Sequence, residues 1–140
     1  MHHVAFLSKN KKLLAKILSG EKTIESRWYV NKKTPYDVVK AGDIIWFKET
    51  GDPVTAKATV EKALFFDLKQ DKIADVISRY GTKICINDEW VERLADKRWC
   101  TLVFLTDVQR VEPFEIDKTG YGNMAAWITV EDVGTLRRKI

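Results

Sequence analysis

The 140-residue chain has little of what marks special protein classes. It contains only two cysteines, Cys85 and Cys100, and no CxxC pair, so a disulfide framework is not expected. Three prolines and seven glycines exclude a collagen-like or low-complexity chain. No apolar run approaches the roughly 20 residues of a membrane span, and the first residues lack the apolar stretch of a signal peptide. We therefore expect a cytoplasmic protein with no membrane partner.

Several kinds of functional site are also missing from the sequence. The two histidines, His2 and His3, lie at the amino terminus, where we expect them to be exposed. No third ligand stands at metal-site spacing, and there is no glycine-rich phosphate loop and no GxSxG elbow. Both cysteines lie among apolar residues and are predicted to be buried thiols. We predict neither a metal nor a cofactor.

Positive charge is concentrated in the first third of the chain. Residues 1–50 hold ten lysines and arginines against five acidic residues, whereas residues 51–140 hold fourteen against fifteen. Such a segment indicates an anionic partner, with nucleic acid the leading candidate, although a lysine-rich solvated surface has the same composition. Lys32, Lys33 and Lys40, in one predicted loop, are the residues expected to contact a nucleic-acid backbone.

The hydrophobic pattern predicts one domain over residues 1–140, of the α+β class. The apolar fraction of 45% is enough to fill a single core. Short strands with irregularly inserted helices favour a small mixed or antiparallel β-barrel with peripheral helices over a doubly wound sheet. The predicted strands cover residues 4–7, 23–29, 44–47, 54–64, 101–108, 111–116 and 126–130. The predicted helices cover residues 9–19, 68–80, 88–96 and 131–139, and residues 120–123 form a loop.

The most informative stretch runs from Gly20 to Arg27 and carries three charged side chains within six residues. In a strand that begins at residue 23, Glu25 and Arg27 point to one face, because side chains alternate along a strand. Lys22 follows Gly20, which is expected to end a helix, and can turn back towards that face. A carboxylate, a guanidinium and an ammonium around one small volume can bind a polar planar ligand. The same spacing also fits a surface salt-bridge ladder on an edge strand.

The segment Gly20-Glu21-Lys22-Thr23-Ile24-Glu25-Ser26-Arg27 matches the GxKxxExR signature and resembles the ASCH domains of the PUA-like superfamily. The helix before it and the Gly-Asp turn before an apolar strand fit the same layout. The resemblance covers residues 1 to about 130 and implies a small β-barrel with peripheral helices. It also implies that Lys22, Glu25 and Arg27 line a cleft for RNA or a nucleobase-containing small molecule. Gly20 would let the backbone turn into that cleft.

The sequence leaves open whether the protein is an enzyme. Relatives that hydrolyse acylated cytidine have Thr where this chain has Glu25, so their proposed nucleophile is missing. In a small hydrolase acting on an acylated nucleoside or on RNA, Glu25 would activate water and Lys22 would orient it, which makes these two the candidate catalytic residues. A third alternative is a protein-interaction module whose motif only supports the fold. The ligand's identity and the oligomeric state are not predicted.

Aromatic residues add a second possible contact for a nucleobase. Trp28 and Tyr29 follow the motif directly, and we predict that they bind the ligand by stacking, a contact worth about 1–3 kcal/mol per base. Trp46, Trp90 and Trp99 lie within apolar segments and are expected to pack in the core.

Overall fold

A computed structural model of the protein describes residues 1–122 and 125–138. The predicted loop at 120–123 and tail at 131–139 reach Asn123 and Lys139, which lie outside the described residues. The strands and α-helices, in chain order, are β1 His2–Leu7, α1 Leu13–Ser19, β2 Ile24–Tyr29, β3 Ile44–Glu49, β4 Val54–Asp67, α2 Ile73–Ile84, α3 Trp90–Arg93, β5 Trp99–Phe114 and β6 Trp127–Val130.

The six strands form one mixed sheet in the order β2-β5-β4-β3-β1-β6. Strands β1 and β3 run parallel, and the other neighbouring pairs run antiparallel. The long β4–β5 pair changes register three times, and such bulges increase strand bend and twist. The sheet therefore curls into a half-barrel. The predicted α+β fold with a small mixed barrel is confirmed.

Apolar residues pack on both faces of the sheet, which fixes where the helices lie. Helix α1 places Leu14 and Ile17 on one face, in a cluster with Phe47 of β3 and Val103 of β5. Helix α2 packs on the opposite face, where its residues cluster with Ile24 of β2. Strand β2 lies at one end of the sheet between these two helices, so its motif residues can face either side.

Two predicted helices differ from the observed ones because backbone turns interrupt them. The helix predicted at 9–19 is a 3₁₀ turn over Lys9–Lys11 followed by α1, because Lys12 adopts the left-handed conformation between them. The side chain of Ser8 makes no capping hydrogen bond. Helix α2 starts only at Ile73, because β4 continues to residue 67 and the Asp67 carboxylate accepts the backbone N–H of Lys69 in a turn.

Three further differences concern the second half of the chain, and the first is that the helix predicted at 88–96 is only the four-residue α3, Trp90–Arg93. The separate strand predicted at 111–116 is the end of β5, which continues without interruption to Phe114. The predicted helical tail contains a short 3₁₀ turn, Val133–Leu136, in which the Asp132 carboxylate accepts the backbone N–H of Gly134.

His3 is completely buried, so the predicted exposure of this residue is wrong. Strand β1 lies between β3 and β6 and is therefore an interior strand of the sheet. One ring nitrogen, Nε2, lies 2.7 Å from the Asp43 carboxylate, and Nδ1 lies 2.9 Å from the Thr129 hydroxyl. Nδ1 also accepts the indole N–H of Trp127 at 3.2 Å, so His3 is held in its neutral form. Burial lowers the pKa of His3 below its ordinary 6.5, and Asp43 opposes this shift less strongly.

This burial predicts a specific loss of stability in weak acid. Because His3 titrates near 6.5 only when unfolded, its neutral form supports the fold fully above pH 6.5 and progressively less as the pH falls below that value. Urea unfolding at a series of pH values should therefore show a falling midpoint before the carboxylates titrate. His3→Gln should abolish the slope in this window, whereas His2→Gln, at a half-exposed residue, should preserve it. If the urea midpoint of His3→Gln still fell with pH as in the wild type, the loss of stability would not come from His3.

Candidate functional site

Gly20 and Lys22 connect the end of α1 to the start of β2. Gly20 ends α1 with φ 83°, a conformation that L side chains rarely adopt, so the predicted helix end is confirmed. The turn brings Lys22 inwards, where only 3% of the residue is exposed. Its ammonium donates to the carbonyls of Ile24 at 2.9 Å and Ile84 at 2.8 Å. Lys22 thus links the outer edge of β2 to the end of α2.

Glu25 is buried and only half satisfied by hydrogen bonds. Its residue exposure is 4%, and Oε1 accepts the backbone N–H of Ser26 at 3.0 Å. The same oxygen lies 3.8 Å from Nε of Arg27, too far for a hydrogen bond. Oε2 is buried and has no hydrogen-bond donor among the described residues. A carboxylate oxygen in this situation needs a donor from outside the chain, because an unmatched buried acceptor is costly.

Arg27 connects the two ends of the curled sheet. Its Nη1 donates to the carbonyl of Ala126 at 3.0 Å, and Nη2 donates to the carbonyl of Phe6 at 3.1 Å. Phe6 lies in β1 and Ala126 immediately precedes β6, whereas Arg27 belongs to β2 at the other end of the strand order. The guanidinium also lies 5.2 Å from the ring centre of Trp127. Both of its terminal nitrogens are therefore occupied by the fold itself.

Lys22 and Glu25 line one cleft of about 370 Å³, which we name the motif cleft. Trp28 and Trp90 also line it, and the indole N–H of Trp28 donates to the Ser26 hydroxyl at 2.9 Å, which fixes that ring. Arg27 does not line the motif cleft. It lines an adjoining cleft of about 300 Å³, the bridging cleft, which also contains Glu25 and Trp28. The three motif side chains therefore lie side by side, with Glu25 common to both clefts.

The structure corrects several predictions about the residues around these clefts. Trp90 is half-buried and lines the motif cleft, although it was expected in the core; Trp46 and Trp99 are also only half-buried. Cys85 is half-exposed and lines the same cleft, whereas Cys100 is buried, and this burial raises the pKa of its thiol. No local sequence signal distinguished the two cysteines, because their exposure depends on where α2 ends.

The predicted backbone-contacting lysines lie on the loop between β2 and β3. Lys32, Lys33 and Lys40 are all exposed. The ammonium of Lys33 lies 4.4 Å from the ring centre of Tyr29, and that of Lys32 lies 5.2 Å from the ring centre of Trp99. Tyr29 lines the bridging cleft but not the motif cleft. Lys33 therefore lies beside a residue of the bridging cleft, but none of the three lysines lines either cleft.

No helix in residues 1–122 and 125–138 is both long and apolar enough to cross a membrane. Within the same residues, no group of three or more His, Cys, Asp and Glu side chains is placed to hold a metal ion.

Solved structures of ASCH proteins from Zymomonas mobilis share this fold. The crystal structure of ASCH from that organism is 19% identical to this chain, with a TM-score of 0.66 over 99% of this chain and 96% of that one. A tyrosine-to-phenylalanine variant matches with 19% identity and a TM-score of 0.69, over 98% of this chain and 99% of that one. A serine-to-alanine variant matches with 20% identity and a TM-score of 0.70, over 96% of this chain and 91% of that one. No protein-family model and no curated protein matches the sequence. The chain has the ASCH fold, as the resemblance of its motif implied.

Proposed function

We propose that this protein binds RNA or a nucleotide and holds one nucleobase in the motif cleft. The observation that carries this proposal is the buried Oε2 of Glu25, which no described donor satisfies. Amino groups and ring N–H groups on the edges of nucleobases are donors of the required kind, and a carboxylate accepts from them in a charge-assisted hydrogen bond. Glu25 therefore acts as the acceptor that recognises the base.

The walls of the motif cleft suit a flat aromatic ligand. Trp28 and Trp90 both line it, and the ring of Trp28 is fixed by its hydrogen bond to Ser26. A fixed indole can stack on a base of any sequence, because every base presents a π-face. Lys11 and Lys16 line the same cleft and add positive charge that attracts a phosphate-bearing ligand.

The experiment measures RNA affinity with and without the Glu25 carboxylate. Fluorescence anisotropy with labelled single-stranded RNA of mixed sequence, at low salt, should show binding by the wild-type protein. Glu25→Gln should weaken it by about 10- to 100-fold, the equivalent of one hydrogen bond to a charged group. Folding should be preserved, because the glutamine oxygen can still accept the N–H of Ser26, which thermal unfolding will verify.

Glu21→Gln is the matched control for this experiment. It removes the same charge from an exposed position four residues away, and we expect it to bind RNA almost as the wild type does. Equal affinity of Glu25→Gln and Glu21→Gln would contradict the role given to Glu25. Absence of RNA or nucleotide binding by the wild-type protein at low salt would refute the proposed function itself.

A further inference from the structure

A third cleft, of about 570 Å³, adjoins the bridging cleft and is lined by positive charge. Lys9, Lys48 and Lys118 line this basic cleft together with the hydroxyl-bearing residues Ser8 and Thr50. No aspartate or glutamate belongs to its lining among the described residues. None of these lysines is part of the Gly20–Arg27 motif, and no local sequence pattern groups them.

Lys48 is the unusual member of the basic cleft. It lies on β3 and is only 7% exposed, yet its ammonium has neither a hydrogen bond nor an ion pair with the described residues. Its Nζ lies 5.0 Å from the ring centre of Phe6, and Nζ of Lys118 lies 5.4 Å from the centre of the same ring. Burial lowers the pKa of Lys48 and the charge of Lys118 lowers it further, while the Glu115 and Asp52 carboxylates oppose this shift less strongly.

Lys9 differs from these two lysines because it already has a counter-ion. Its ammonium lies 2.7 Å from the Asp52 carboxylate, and both side chains are well exposed. Lys48 and Lys118 lack such a partner among the described residues, although both ammoniums lie near the ring of Phe6 and the charge of Lys118 disfavours the charged form of Lys48. An anion between them would remove this repulsion, and the hydroxyls of Ser8 and Thr50 could donate to it.

The basic cleft is continuous with the site described above. Phe6, Ser8 and Ala126 line both the basic cleft and the bridging cleft, and Glu25 and Trp28 line both the bridging cleft and the motif cleft. One groove therefore runs from the unsatisfied carboxylate of Glu25 to the unpaired ammonium of Lys48. A base and a phosphate of one ligand can occupy its two ends.

We infer that the basic cleft is a phosphate-binding site, in which Lys48 and Lys118 hold a phosphate of the ligand whose base lies against Glu25. The assignment of the base rests on the proposed function, whereas the phosphate site rests on the lysines alone. A phosphate site makes the preferred ligand a nucleotide or an RNA strand rather than a free nucleoside. Charge-assisted hydrogen bonds from two lysines supply the preference.

The phosphate site is tested first with inorganic pyrophosphate, which has no base. Isothermal titration calorimetry should show binding to the wild-type protein and at least about tenfold weaker binding to Lys48→Met. Methionine fills a similar volume without a buried charge, so this variant is expected to fold, and Lys118→Gln, at a half-exposed position, should show the same loss. Lys62→Met is the matched control, since it removes a lysine 4.5 Å from the ring centre of Phe104, outside the three clefts.

A second measurement uses the labelled RNA and its dependence on salt. Lys48→Met should reduce the slope of log affinity against log salt by about 0.7, the value for one lost contact to a single-stranded phosphate. Glu25→Gln should weaken binding with the slope unchanged. Absence of pyrophosphate binding, or equal losses in Lys48→Met and Lys62→Met, would overturn the phosphate site. Pyrophosphate binding without RNA or nucleotide binding would instead refute the proposed function and leave the phosphate site standing.

Discussion

Arg27→Met should lower the free energy of unfolding by about 3 to 5 kcal/mol, because it removes two hydrogen bonds from a charged donor to backbone carbonyls. Those carbonyls, of Phe6 and Ala126, lie at the opposite end of the strand order from Arg27. The substitution also leaves the buried carboxylate of Glu25 without its nearest cation. A loss of this size is a large part of the total stability of an ordinary domain.

Chemical denaturation of the wild type and of Arg27→Met measures this loss of stability, and Arg79→Met provides the control. Arg79 is exposed and lies 5.5 Å from the ring centre of Tyr80, so its replacement removes a cation next to an aromatic ring without removing a bond between strands. We expect the control to change stability by less than about 1 kcal/mol. If Arg27→Met were as stable as Arg79→Met, the guanidinium would not hold the sheet ends together.

A large loss of stability in Arg27→Met would change how the Gly20–Arg27 motif is interpreted. Loss of binding in an Arg27 variant would follow from opening of the half-barrel and would not show that the guanidinium touches a ligand. Glu25 has an acceptor, Oε2, left over for a ligand, whereas both terminal nitrogens of Arg27 donate to the backbone and only its buried Nε has no partner among the described residues. The proposed binding site therefore depends on Glu25 for recognition and on Arg27 for its shape.

The sequence pattern predicted those features of the site that depend only on neighbouring residues in the chain. Alternation along β2 places Glu25 and Arg27 on one face, and the positive φ of Gly20 ends the helix before them, as the sequence indicates. The partners of Arg27 could not be predicted, because they depend on the curl of the sheet and on the place of β6 beside β1. The same is true of Lys22, whose second carbonyl, that of Ile84, is 62 residues away in sequence.

Buried polar residues were the least predictable part of the fold. His3 reads as a terminal histidine, yet it is enclosed because β1 lies inside the sheet rather than at its edge. Lys48 follows the apolar run of β3 and has no local feature that distinguishes it from a solvated lysine. Its burial results from the packing of Phe6 on the neighbouring strand, which brings an aromatic ring over the ammonium.

Lys22→Met should lower the free energy of unfolding by about 2 to 4 kcal/mol, because two buried carbonyls lose their hydrogen-bond donor. Lys16→Met is the control, since Lys16 lines the same cleft but is half-exposed and should change stability little. Denaturation curves of the two variants, compared with the wild type, measure this difference.

The same pair of variants decides between a binding protein and the hydrolase alternative. In the hydrolase alternative Lys22 must reach the attacking water in order to orient it, whereas its ammonium is fixed at 2.9 Å and 2.8 Å from two carbonyls of its own chain. We therefore expect purified protein to release no cytidine from N4-acetylcytidine above the buffer background, as followed by chromatography. Turnover by the wild type and by Lys16→Met that disappears in a folded Lys22→Met would establish Lys22 as catalytic and the protein as an amidohydrolase.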